Sequence, residues 1–403
     1  MQPNILMIYV DGFPVYRTKL YGGLIETPHL EGLIAESTFY SNVISAAPST
    51  AMSLTSMFTG LFPHEFGRRS YAPSDGGLPP STISLFVELE RMGYNTHVLW
   101  DEIMENKQQK SRINVWQGQT TKFFVNYKRS SNMYVRAVLD KKILKRHGKV
   151  WELNQALSYI DTLEPPWAVM VRFGREIGSD FVGASKHITN EEWDDELFEI
   201  DDVIKQLMEH YPDNTRLILS SDHGCMYGEQ GIWGYAFNLH EGTLKVPLVD
   251  YNPNEKNGKT VDELISLINY KNIILNREIR KTKYLYADTA YADQWHRKTM
   301  VRYDRWKYVY HRDGWPCKEQ FFDLKTDPHE MINLAAPRYV DPYRDSKSKG
   351  DTVDKRNSPS ALNIDGKPLR EVLKRRNWDQ ILDILSELGE ERRKIWEAQD
   401  VYE

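Results

Sequence analysis

In Asn4-Ile5-Leu6-Met7-Ile8-Tyr9-Val10-Asp11-Gly12, residues 5–10 form an unbroken apolar run that ends in a carboxylate and a glycine. With no polar face over residues 5–10, it reads as a strand covered on both sides, as in a parallel sheet between two layers of helices. Open α/β sheets bind ligands beyond the carboxyl ends of their strands, which makes Asp11 a candidate site residue. The pattern returns in Trp167-Ala168-Val169-Met170-Val171-Arg172-Phe173. It returns again in Arg216-Leu217-Ile218-Leu219-Ser220-Ser221, which delivers Asp222-His223-Gly224 at its end.

Segments with helical spacing separate these strands. A helix is expected over 27–36, with Thr27 as its cap and Pro28 at the first helical position. Residues 38–45 read as extended. Pro48-Ser49-Thr50 then opens a short helical run, 51–59, that stops at Gly60. Helices over 82–93, 151–162 and 191–210, with a strand over 94–100, complete the alternation that builds a parallel sheet with helices on both faces.

Residues 1–283 are assigned to this α/β domain. From 284 to 335 the chain turns aromatic and extended, as in Met300-Val301-Arg302-Tyr303 and Trp306-Lys307-Tyr308-Val309-Tyr310, which suits a small antiparallel sheet. Residues 336–360 read as a polar linker. Residues 361–403 read as a helical tail whose apolar set is Ile381, Leu382, Ile384, Leu385 and Leu388. The tail is expected either to cap the domain or to pair with a second copy in a homo-oligomer.

The 403 residues suffice for a large core, and a net charge of −5 speaks against a general nucleic-acid binder. The one strongly basic stretch, Lys107 to Lys149, reads as a solvated face, with a collar for a polyanionic substrate as the alternative. No run approaches eighteen apolar residues, so no membrane span is expected. Met1-Gln2-Pro3 supplies neither a basic leader nor a cleavage site, and Cys225 and Cys317 are too few for a disulfide framework. A cytoplasmic location is the expectation.

Asp11 and Asp222-His223 are metal-ligand types at two strand ends, and Gly224 would let the second turn bend both side chains toward one place. Taken alone, each reads first as a helix-capping Asp or a packed His. Thr50 sits at a helix N-terminus, whose field and free N–H groups suit both a nucleophilic oxygen and a bound anion. Taken alone, it or Ser49 reads first as an ordinary N-cap. Cys225, directly after the second turn, reads as a small buried residue rather than a ligand.

Order and context bring these elements together, because the chain resembles the sulfatase family of the alkaline-phosphatase superfamily. Four segments match in order. They are Pro3-Asn4-Ile5-Leu6 to Asp11 with Thr27-Pro28-His29-Leu30; Pro48-Ser49-Thr50 to Thr59-Gly60-Leu61-Phe62-Pro63; Ser221-Asp222-His223-Gly224 to Glu241-Gly242; and Met300-Val301-Arg302 to Asn333-Leu334. Together they frame residues 3–335. The resemblance implies an α/β/α sandwich of alkaline-phosphatase type with a mainly parallel sheet. It also implies a divalent metal held by Asp11, Thr50, Asp222 and His223. Thr50, ten positions before Gly60, takes the nucleophile's place, with Ser49 and Ser53 as runners-up.

The departures from the sulfatase pattern bear on the chemistry. Thr50 stands where sulfatases carry the Cys or Ser that becomes formylglycine, and Thr cannot yield that aldehyde. Leu54 replaces an Arg, Tyr235 or Ala236 replaces a sulfate-contacting Lys, and Gly12 replaces a second Asp. His240 falls where sulfatases usually have Tyr; it and Tyr235 are the candidate substrate-binding residues, with a core role open for His240. A second metal would need ligands from Asp180, His187, His240 and His296, and Ala184 breaks the aspartate-x-x-glycine-histidine motif that Asp180 would begin. One ion is therefore expected: Mn, Zn or, least suited to imidazole, Mg. The function expected is hydrolysis or transfer of a small-molecule or glycan phosphate ester through a phospho-threonine. A sulfatase-like enzyme without formylglycine and a non-catalytic protein of this fold are the alternatives.

Overall fold

The computed structural model describes residues 2–66, 81–99, 134–136, 141–173, 190–227, 232–255, 258–289, 297–312, 319–335, 363–364, 367–368, 383–384 and 386–394. Strand β1, Asn4–Val10, is buried at every position. Its odd-numbered side chains, Ile5, Met7 and Tyr9, pack with Leu54, Met57, Phe58, Phe86 and Leu89 on one face of the sheet. Its even-numbered ones, Leu6, Ile8 and Val10, pack with Leu30, Leu33, Leu153, Ile200 and Ile204 on the other. A strand with two dry faces has no use for a polar alternation, which is why its sequence is continuous in apolar residues.

The remaining large-sheet strands are β2 (Thr38–Ile44), β3 (Asn95–Leu99), β4 (Tyr134–Arg136), β5 (Trp167–Phe173) and β6 (Thr215–Ser221). After two short strands, β7 (Met226–Tyr227) and β8 (Trp233–Gly234), come β9 (Lys245–Tyr251), β10 (Lys259–Val261) and β11 (Ile265–Ser266). The order is β10-β2-β9-β6-β1-β5-β3-β4, with β11 also on β2. Pairing is parallel except where β9 meets β2 and β6. Helices α1 (Pro28–Ala35), α2 (Thr50–Thr59), α3 (Leu85–Arg91), α4 (Lys141–Ile160, kinked at Gly148) and α5 (Asn190–Glu209) cover the two faces. The fold is the mainly parallel α/β sandwich of the alkaline-phosphatase type.

A second sheet, β12 (Leu285–Thr289), β13 (Lys298–Tyr303), β14 (Trp306–His311) and β15 (Glu319–Asp323), is antiparallel throughout. Its core, Val301, Trp306, Tyr308 and Phe321, also takes in Leu388 from the helical residues 386–394. That segment packs on this chain's own small sheet. Earlier in the tail the structure departs from the expected helix: Asn363–Ile364 pairs antiparallel with Lys367–Pro368. The intervening sequence Asp365-Gly366 is a composition that favours a two-residue hairpin over a helix. The proposed linker, 336–360, lies outside the described residues.

Two local expectations change. Thr27 occupies the cap position of α1 but makes no capping bond. The Asp201 carboxylate on α5 accepts the His29 and Leu30 N–H groups instead, at 3.0 and 2.9 Å, and so joins two helices while capping one. Lys149, read as part of a solvated basic face, is buried against Glu199 at 2.7 Å. Lys107 to Arg129 of that stretch lie outside the described residues.

Candidate active site

The site is assembled at the carboxyl edge of the sheet's centre. Val10, the last residue of β1, is in register with Ser221 of β6 and Phe173 of β5. The residues that follow, Asp11 and Asp222, therefore leave the sheet side by side. Ligand-type atoms of Asp11, Asp222 and His223 all lie within 4.8 Å of one another. His223 Nε2 is 3.3 Å from Asp222 Oδ2 and 3.8 Å from Asp11 Oδ1.

Hydrogen bonds fix which atoms face the centre. Asp222 Oδ1 accepts the N–H groups of Gly12 (3.1 Å) and His223 (2.8 Å), while Oδ2 has no hydrogen-bond partner among the described residues. His223 Nδ1 lies 2.9 Å from the Gly224 carbonyl, which can only accept, so Nδ1 carries a proton and Nε2 is the ring nitrogen left to face the cluster. Ser221 Oγ ties the two strand ends together, accepting from Phe13 N–H and donating to the His223 carbonyl. Two buried carboxylates and an imidazole nitrogen converging on one point form an arrangement that a cation relieves. The nitrogen and oxygen donors suit a divalent ion such as Mn, Zn or Mg.

Burial, joined by the Asp11 charge, pushes the Asp222 carboxyl above its ordinary range, although His223, Tyr9 and Gly12 pull it back. Burial and the two carboxylates likewise push the Tyr9 hydroxyl well above the usual phenol range. Arg172, one residue before the end of β5, is buried and paired with Asp11 Oδ2. Sequence reading passed over Arg172, yet a charge inside the apolar run Trp167–Phe173 is itself the signal that it has a buried partner.

Helix α2 brings Thr50, at its first turn, to this cluster: Thr50 Oγ1 is 3.3 Å from His223 Nε2, and Thr50 is 2% exposed. The two runners-up part company here. Ser53 Oγ is 2.9 Å from Ser45 Oγ and donates to the Asp222 carbonyl at 2.6 Å, so it clamps α2 onto the β6 turn. Ser49 is the N-cap of α2, and its hydroxyl makes no capping bond. Leu54 points into the core with Met57 and Phe58, so no cation occupies that position.

Gly224 serves by close approach. A Cβ there would sit 2.2 Å from the Gly242 carbonyl oxygen, and one on Gly242 would sit 2.5 Å from Met226 Sδ. The two glycines let the turn at 240–244 lie directly on the turn that carries His223. Gly12 has φ +67°, a left-handed conformation that an Asp would adopt only under strain.

Tyr235 stacks on the His223 ring, with centroids 4.4 Å apart. Its loop is held from both sides: Ala236 N–H donates to the Pro48 carbonyl at 2.9 Å, and Thr289 Oγ1 donates to the Ala236 carbonyl. His240 Nδ1 lies 3.1 Å from Glu330 Oε2, in a buried chain that continues through Lys307 to Glu241 and Arg302. His240 is not among the residues whose ligand atoms converge on Asp11, Asp222 and His223. Asp180, His187 and His296, the other second-ion candidates, lie outside the described residues. Cys225 is buried, and its thiol donates to the Met226 carbonyl at 3.7 Å.

Comparison with known proteins extends this picture. A family model described as type I phosphodiesterase / nucleotide pyrophosphatase matches residues 5–306. An arylsulfatase of Clostridium perfringens is 21% identical over an alignment of 442 positions that covers 83% of this chain and 90% of that protein. The sulfatases matched at 30% identity are aligned over a shorter stretch, 30% and 27% of the length of the first two. Among solved structures, a 2-O GAG sulfatase superposes with a TM-score of 0.63 at 15% identity, over 83% of this chain and 88% of that one. The phosphonate monoester hydrolase of Agrobacterium radiobacter gives 0.60 at 14% identity, over 84% and 92%. At such identities the likeness is one of fold.

Proposed function

The chain belongs to the type I phosphodiesterase / nucleotide pyrophosphatase family, metal-dependent hydrolases of the alkaline-phosphatase superfamily, and from that premise we propose that it cleaves phosphate esters, diesters foremost, through Thr50. One observation carries this reading. Thr50 Oγ1, at a helix N-terminus, lies 3.3 Å from a nitrogen of the Asp11, Asp222 and His223 cluster. We assign Asp11, Thr50, Asp222 and His223 as the residues that hold a single divalent ion. When bound, that ion lowers the Thr50 pKa and withdraws charge from a phosphoryl oxygen.

The chain's own residues account for the rest. Ser53 and Ser45 hold α2 against the β6 turn, so Thr50 is positioned before substrate arrives. Thr50 Oγ1 gives its proton to solvent and attacks phosphorus in line. The Oγ1–P bond forms as the bond to the leaving alkoxide breaks, and that alkoxide is protonated by water. A water molecule then attacks the phospho-threonine, releasing phosphate or a monoester and restoring the hydroxyl. Tyr235, stacked on His223, excludes solvent from one side of the imidazole. Thr50 cannot become formylglycine and Leu54 is committed to the core, so the sulfate-ester machinery is lacking at both positions.

Thr50→Ala tests the assignment. Hydrolysis of bis(p-nitrophenyl) phosphate by the metal-loaded enzyme should fall by at least about 10³-fold, and a phosphorylated Thr50 peptide should be trapped from wild type by acid quench and mass spectrometry. Full metal-dependent activity in the variant would dispose of the reading.

A further inference from the structure

Two buried side-chain oxygens in or next to the first turn of α2 and the β6 turn it meets have no hydrogen-bond partner among the described residues: Asp222 Oδ2 and Ser49 Oγ. The first belongs to the ion-binding cluster. The second is unexplained by it. Ser49 is 1% exposed and has the extended backbone usual for an N-cap, φ −142° and ψ 139°, yet its hydroxyl does not cap the helix. Buried hydroxyls are rarely left unbonded, and a serine in this position ordinarily bonds the second or third N–H of the helix. The helix ladder begins with Ser53 N–H on the Ser49 carbonyl at 2.9 Å, so Thr50, Ala51 and Met52 have no intrahelical acceptor for their N–H groups. The unbonded Ser49 hydroxyl and first-turn N–H groups without intrahelical acceptors thus flank the residue assigned as nucleophile.

Among the described residues, the cation beside the cluster is already engaged. Arg172 is paired with Asp11, position 54 is a core leucine, and position 235 is a tyrosine stacked on His223. A phosphoryl group still needs donors for the charge that its non-bridging oxygens carry in the transition state. We propose that the Ser49 hydroxyl, with the first-turn N–H groups of α2, binds a non-bridging oxygen of the phosphoryl group attacked by Thr50. The ligand class is a tetrahedral phosphoryl oxyanion, and among the described residues positions 54 and 235 are neutral where sulfatases place charge. The assignment rests on Thr50 as nucleophile.

The test uses the metal-loaded full chain. Ser49→Ala should lower kcat/KM on bis(p-nitrophenyl) phosphate by about 10²–10³-fold. It should weaken inhibition by orthovanadate at least about tenfold and leave the affinity for Mn²⁺ unchanged. Ser49→Cys keeps the side-chain volume and loses the strong donor, so it guards against a folding defect and should show the same losses. Wild-type kcat/KM and vanadate inhibition in a folded Ser49→Cys variant would overturn the proposal. So would a loss of Mn²⁺ affinity that accounts for the whole defect. Failure of the Thr50 reading looks different: there Thr50→Ala stays active whatever Ser49 does.

Discussion

Asp222 shows how much of the centre is legible one residue at a time. An acid after an apolar run marks a strand end at the ligand-binding edge, and its neighbour His223 is a ligand type, so both are readable from sequence. Which oxygen faces the centre is not, because that depends on Gly12 N–H reaching Oδ1 from a strand 210 positions away. Arg172 is a similar case: its partner Asp11 lies 161 positions off, and only the register Tyr9↔Arg172 brings the two strands' ends together. Removing the guanidinium leaves Asp11 beside Asp222 with one cation fewer. Arg172→Met should therefore destabilise the metal-free protein by about 3–5 kcal/mol, and added Mn²⁺ should recover part of that loss. Thermal unfolding with and without Mn²⁺ checks this; a metal-free variant melting with wild type would contradict it.

Helix α2 performs three tasks in five residues. Thr50 faces the cluster, Ser53 clamps the β6 turn, and Leu54 anchors the helix between β1 and α3. Sequence spacing separates Thr50 from Ser53 only by analogy; the bond from Ser53 to the Asp222 carbonyl separates them physically. Leu54 is 1% exposed, so Leu54→Arg should cost more than about 4 kcal/mol by burying an unpaired charge, and should confer no sulfatase activity. Urea unfolding measures this, and a variant of near-wild-type stability would show that the helix can turn this position outward. The helix caps were the least readable feature of the elements. Thr27 has the right chemistry for α1, but Asp201, distant in sequence, does the capping, since α5 packs where its carboxylate reaches the N–H groups first.

Across the whole molecule, a buried ionic chain crosses the boundary expected at residue 284. Glu241, beside the His223 turn, is held by Arg302 and Lys307 from β13 and β14, and Lys307 and His240 hold Glu330. Burial alone would raise the Glu330 carboxyl, but Lys307 and His240 bring it down to about 2 from the ordinary 4.5. A carboxyl whose folded pKa is depressed gives stability that is complete above pH 4.5 and lost as the pH falls toward 2, here about 3 kcal/mol. Glu330→Gln should flatten that part of the acid-unfolding curve in denaturant titrations between pH 5 and pH 2; an unchanged curve would assign the acid sensitivity elsewhere. The placement of β1 has a further consequence, for biosynthesis. The strand occupies the middle of the sheet, yet its neighbours β5 and β6 begin at residues 167 and 215. At about 5–20 residues per second, a ribosome needs on the order of 10–40 s after releasing β1 to supply both. Throughout that interval the nascent chain carries this strand, apolar from Ile5 to Val10, with both edges unpaired. The strand that organises the finished fold is thus the segment a chaperone has most reason to shield while the protein is being made.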